Sequence, residues 1–166
     1  MIYIILALFL VIFILAGFLF FKITKLKDMR ESLVLCSDKI NETLNKKYEI
    51  INSVLKKLNN EKLSKEFDYR DDLELHEKEK ILFDMSFNLN KYIKNHKIKD
   101  FDKELHDLSL IEESLDGLKD FYNAHVLNYN EIFLKKYFNK LYRLFKFDDY
   151  KSFKIRKLEE YEIFKV

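Results

Sequence analysis

The chain has 166 residues, 48% hydrophobic and 35% charged, with two glycines, no proline, no tryptophan and one cysteine. So little Gly and Pro leaves almost no turn chemistry for an all-β or α/β fold, and a single cysteine excludes a disulfide framework or a cysteine-built zinc site. The formal net charge of +2 gives no electrostatic footprint for nucleic acid, and no nucleic-acid partner is expected.

Residues 1–21 carry no charged side chain, so all 30 Lys and Arg and all 28 Asp and Glu lie in residues 22–166. Ile2 to Phe21 is a run of 20 residues, about 30 Å as a helix, which matches the hydrocarbon core of a bilayer. A cleaved signal peptide needs a basic n-region, a shorter apolar core and small residues before the cut. Leu15-Ala16-Gly17 is reminiscent of a lipoprotein signal, but Phe18 stands where the lipidated cysteine is required. Residues 1–21 are therefore expected to be an uncleaved transmembrane anchor. No Lys or Arg precedes the run, while Lys22, Lys25, Lys27 and Arg30 follow it. The positive-inside rule then puts the N-terminus outside and the long C-terminal part in the cytoplasm of a single-pass cell-membrane protein. A reduced Cys36 fits that compartment.

From Met29 the apolar positions Leu33, Cys36, Ile40, Leu44, Tyr48, Ile51, Leu55 and Leu58 follow in steps of three or four, one buried stripe of a helix. No Gly or Pro interrupts it after Gly17, so it is expected to leave the membrane unbroken and stop at Asn59-Asn60. A second stripe begins at Leu63 and Phe67, lapses over Tyr69–Asp72 and resumes as Leu75, Leu82, Met85, Leu89 and Tyr92. Residues 61–72 read either as helix with a polar interruption or as a loop ending at Asp71 or Asp72, which would cap the next helix. Residues Lys94 to Lys99 read as a turn. The third stripe is the most regular: Phe101, Leu105, Leu108, Ile111, Leu115, Leu118, Tyr122, Val126, Tyr129, Phe133. Gly117 lies inside it, either admitting a close neighbour or serving no purpose there.

Residues 134–147 read LKKYFNKLYRLFKF. On a helical wheel Leu134, Tyr137, Phe138, Leu141, Leu144 and Phe145 share one arc, and Lys135, Lys136, Lys140, Arg143 and Lys146 the other. That composition suits a bundle helix with a solvated basic face, and equally a helix contacting anionic lipid or a partner. The tail from Asp148 alternates charged and aromatic residues without a period, and reads as a docked short helix or a mobile end. The expected fold class is thus all-α: a transmembrane helix (1–21), an elongated antiparallel bundle of three long helices plus a short C-terminal amphipathic helix (22–147), and a tail (148–166).

Several of these residues form a pattern. Phe121-Tyr122-Asn123 followed by Tyr129-Asn130 resembles the Tyr-Asn pairs, seven residues apart, of the LemA family of bacterial membrane-anchored helical proteins. Glu112, Leu115 and Lys119 fall where that family has its Thr-Glu-Asn and Ala-Arg stretch, and Lys47-Tyr48-Glu49-Ile50-Ile51 resembles its Arg-Tyr-Asp-Leu-Ile segment. Asn139, Leu144-Phe145, Phe147 and Phe153 resemble its C-terminal Asn, Leu-Phe-Gly-Phe and Phe positions. The chain departs from the family at Asn52 and Tyr137, where proline is usual, at Ser37, where tryptophan is common, and at Lys146, where glycine is usual. The resemblance implies a single-span protein carrying a helical bundle. No catalytic activity is established for the family as a whole, and some of its members are associated with organising or shaping membranes.

Chemistry-bearing spacings are missing. The residues three before His76, His96, His106 and His125 are Leu73, Ile93, Lys103 and Tyr122, so the Glu-x-x-His pattern of di-iron bundles is absent. There is no His-x-x-x-His or Cys-x-x-Cys, and one glycine beyond the span cannot cradle a phosphate. No cofactor, metal or catalytic residue is expected. Tyr122 and Tyr129 are expected to bury their rings, and Asn123 and Asn130 to hydrogen-bond across the bundle and fix its register. The expected function is a non-enzymatic scaffold on the cytoplasmic face, whose partners are the bilayer and other proteins or further copies of itself. The alternative is a single-span sensory bundle with a small-molecule site near Tyr122 and Tyr129.

Overall fold

The computed structural model describes residues 2–58, 69–70, 72–98, 100–134 and 139–154. All regular structure among them is helical: α1 Ile2–Leu58, α2 Leu75–Asn95, α3 Asp102–Phe133 and the short α4 Asn139–Leu144. α1 runs 57 residues without a break, about 85 Å at the α-helical rise. The apolar stretch over Ile2–Phe21 and the amphipathic stretch beyond it therefore belong to one helix. The most apolar window of α1, near its N-terminus, is long and apolar enough to cross a membrane, and none of it is buried by the described residues.

Two compact units divide the chain. One comprises Met1–Leu35 and Ala124–Ser152, the other Cys36–Asn123 and Phe153–Val166. In the second unit α1, α2 and α3 bury Ile40, Leu44, Ile51, Leu82, Leu89, Leu108 and Leu115 against one another. Residues 36, 47 and 57 of α1 meet residues 118, 112 and 104 of α3, in reverse chain order. Tyr69 stacks on Tyr48 at 4.1 Å and its hydroxyl meets Asn45 Oδ1 at 3.3 Å, which fastens the approach to α2 onto α1. In the first unit the core is Leu26, Leu33, Val126, Tyr129, Phe133, Tyr142 and Phe147.

Helix ends follow local chemistry, with two corrections to the sequence reading. Asp72 does not cap α2: the N-cap is Glu74, without a side-chain capping bond, and Asp72 sits in the turn ahead of it. Asp71, the Asn59-Asn60 stop and residues 61–68 lie outside the described residues. The turn after α2 is a Schellman motif, with Lys97 N donating to Lys94 O, Ile98 N donating to Ile93 O, and Lys97 at φ 52°.

The second correction concerns residues 134–147. Among the described residues of this segment Asn139–Leu144 is helical and Leu134 lies in a turn, and a second Schellman turn follows α4, with Lys146 N on Arg143 O, Phe147 N on Tyr142 O and Lys146 at φ 60°. Because the chain turns there, the arc drawn for one continuous helix does not hold. Leu134, Leu144 and Phe145 are exposed, while Tyr142 and Phe147 are buried. Lys135, Lys136, Tyr137 and Phe138 lie outside the described residues. Gly117 admits no close neighbour, since a Cβ built there meets nothing within 4 Å.

Candidate functional site

Three groups of polar residues stand out, and the first is buried. Lys47 on α1 forms an ion pair with Glu112 on α3, and both side chains are almost wholly enclosed. Ser86 on α2 donates to the same carboxylate at 3.1 Å, and the Lys47 ammonium lies 5.7 Å from the Phe83 ring centroid. Seven residues along α3, Lys119 meets Glu79 of α2 at 3.1 Å and Asp116 at 2.8 Å. Lys78 Nζ lies 3.5 Å from Asn41 Oδ1. All three helices thus contribute charge to one core. Burying such ions costs several kcal/mol each unless their partners are well placed, so the pairs are by themselves weak evidence of stabilisation. Lys47, Glu112 and Lys119 are among the residues that carry the family resemblance; Glu79 and Ser86 were missed by sequence reasoning.

Tyr122, Asn123, Tyr129 and Asn130 form the second group. Both asparagines grip backbone, and here the structure departs from the expected helix-to-helix bonds. Asn130 donates from Nδ2 to Tyr150 O at 2.9 Å and accepts from Tyr150 N at 3.3 Å. Asn123 does the same to Phe153, at 3.0 and 2.7 Å. The amide side chain offers one donor and one acceptor, which matches the N–H and C=O of a single residue. The seven residues between the asparagines rise about 10.5 Å along α3, and the three from Tyr150 to Phe153 span about 10 Å when extended. The described part of the tail is therefore docked and non-helical.

The tyrosine rings are buried as expected. Tyr129 meets Tyr150 edge-on at 5.1 Å, and Tyr122 meets Phe153 edge-on at 5.1 Å. His76 stacks on the Phe153 ring at 4.1 Å. Burial pushes the Tyr129 phenol up to about 12, and its hydroxyl has no hydrogen-bond partner among the described residues. Burial also raises the Cys36 thiol, whose Sγ lies 3.5 Å from Leu118 O; a thiol so placed is inert.

The third group is charged and open. Among the basic candidates near the C-terminus, Lys140, Arg143 and Lys146 are exposed, and the Arg143 guanidinium lies 6.0 Å from the Phe133 ring. Arg30 Nη1 donates to Lys146 O at 3.4 Å, which ties the turn after α4 to α1. In the same unit a groove of about 540 Å³ opens between α1 and α3. Lys22, Lys25 and Asp28 line it from α1, and His125, Asn128 and Glu131 from α3. Sequence reasoning missed this groove, because its residues fall on the polar faces of two separate stripes. Among the described residues, no cluster of three or more His, Cys, Asp or Glu side chains could hold a metal ion.

Comparison of the chain with protein-family models, with curated proteins and with solved structures finds no match.

Proposed function

We propose that the chain is a single-span membrane protein whose helical body, an antiparallel bundle of three long helices, acts as a non-enzymatic scaffold on the cytoplasmic face. The observation that carries this reading is the division of labour within α1. The same unbroken helix presents an uncharged apolar surface with no buried residue over Ile2–Phe21, then a regularly spaced buried seam from Leu26 to Leu55. Exposed apolar area of that size is tolerated in lipid and not in water. Lys22, Lys25, Lys27 and Arg30, just past the run, favour a cytoplasmic body. Exposed Leu144 and Phe145 beside Lys140, Arg143 and Lys146 give the body a basic, apolar-tipped surface suited to an anionic lipid interface or an acidic partner.

A divergent place in the LemA family belongs to the same proposal. Its support is that the resembling positions coincide with structural roles: Lys47, Glu112 and Lys119 in the buried ion pairs, and Asn123 and Asn130 on the tail. Lys146, at the family's glycine position, adopts the left-handed conformation that favours glycine.

Protease accessibility of a C-terminal tag tests the topology. In intact cells the tag is protected, and it is cleaved once the membrane is opened. Cleavage in intact cells would reverse the orientation and remove the cytoplasmic scaffold.

A further inference from the structure

We propose that the groove of the first unit binds the headgroup of a phospholipid bearing both a phosphate and a primary ammonium, a phosphatidylethanolamine-type lipid of the membrane that holds α1. This rests on the anchor reading above. The argument begins with depth. Counting from Phe21, the last residue of the apolar run, Lys22 and Lys25 rise about 1.5 and 6 Å along α1. That places both within the headgroup layer, which is roughly 5–8 Å thick on each side of the hydrocarbon core. Lys22 Nζ lies 5.5 Å from the Phe18 ring one turn back, so this side chain reaches toward the apolar run. Asp28 rises about 4.5 Å beyond Lys25, just outside that layer on its water side.

Charge supplies the second argument. The groove offers two ammonium groups, Lys22 and Lys25, and two carboxylates, Asp28 and Glu131, with the Asn128 amide among them. Lys25, Asp28 and Glu131 make no ion pair with any described residue, so the two signs in the groove are not engaged with one another at contact distance. A purely anionic headgroup would meet the lysines but bring its charge toward two carboxylates. A headgroup with phosphate at one end and ammonium at the other satisfies both signs. The one-turn offset from Lys25 to Asp28 is comparable to the reach of the two-carbon bridge joining those charges.

The choice between ammonium types follows from the lining. Quaternary ammonium groups are recognised by aromatic faces, and among the described residues no Phe, Tyr or Trp lines this groove. Carboxylates and an amide oxygen instead accept hydrogen bonds, which a primary ammonium donates and a quaternary one cannot.

The test uses the full chain reconstituted in phosphatidylcholine vesicles, with a donor dye on Ala124→Cys and a trace of acyl-labelled acceptor lipid. Energy transfer to labelled phosphatidylethanolamine should exceed that to labelled phosphatidylcholine or phosphatidylglycerol by about threefold, the effect of roughly one exposed ion pair. Lys25→Gln and Asp28→Asn should each bring it down to the phosphatidylcholine level, with helicity and flotation unchanged. Equal transfer to all three lipids overturns the proposal. Phosphatidylglycerol preferred, with Asp28→Asn silent, also overturns it and reduces the groove to general attraction of anions. If the lipid preference is absent but soluble phosphoethanolamine raises the melting temperature, the groove serves a free compound and the lipid assignment falls. A chain that does not float with vesicles removes the anchor reading and this one together, whereas a floating chain without preference removes this one alone.

Discussion

Lys47 shows how the character of one position depends on what faces it. Its four-carbon stem and ammonium are enclosed by helices, with Glu112 as counter-ion and the Phe83 ring nearby. Truncation as Lys47→Ala strands the Glu112 carboxylate and is expected to cost about 3–5 kcal/mol, read as a lowered urea midpoint. The double variant Lys47→Met with Glu112→Leu removes both charges while keeping volume and should lie within about 1–2 kcal/mol of the parent. A double-variant loss equal to the sum of the losses of its two single substitutions would show that the pair is not coupled. The burial of these ions was not legible in the sequence, for a geometric reason. Between Leu44 and Ile51 the step can pass through Tyr48 or through Lys47, and both satisfy spacings of three and four. The same ambiguity allows Ile111 or Glu112 and Leu118 or Lys119 on α3. Residue type selects the apolar member of each pair, while the structure buries the charged one and leaves Tyr48 to stack on Tyr69.

At the scale of elements, the long helices were legible because period and length agree. The third stripe spans Phe101–Phe133 and α3 spans Asp102–Phe133. The C-terminal region was not, since a wheel assumes a continuous helix and carries no term for the turn at Lys146. Nor did the tail announce its docking, because Asn123 and Asn130 bind its backbone and place no pattern on its side chains. Both Schellman turns put lysine in the left-handed region, Lys97 at φ 52° and Lys146 at φ 60°, a conformation that costs a non-glycine residue roughly 1–2 kcal/mol. Lys97→Gly and Lys146→Gly should therefore each raise stability by about 1 kcal/mol. Gly117→Ala, mid-helix with space around it, should do the same. Thermal melts of the three variants check this, and a fall in melting temperature at either lysine would mean that its side chain contributes more than its backbone costs.

For the whole molecule, the decisive property is that apolar and charged residues are sorted along the chain. No residue of the N-terminal apolar window is buried by the described residues, so a chain starting at Lys22 is expected to stop floating with vesicles but to keep nearly all of its core. Its melting temperature should stay within about 4 °C of that of the full chain in detergent, with the helicity of the remaining residues preserved. A collapse of helicity would mean that the apolar run supports the body directly.

The unbroken course of α1 has a mechanical consequence. Transmembrane helices adjust to bilayer thickness by tilting, about 20° on average. Where a flexible joint follows the span, that tilt is lost at the joint. Within the first unit α1 continues from Phe21 to Leu35 for about 21 Å, so in a bilayer the same tilt would carry Leu35 sideways by roughly 7 Å. A membrane that thins or thickens would thus move a lever, and bilayer thickness would become a quantity that a neighbouring molecule could read as position.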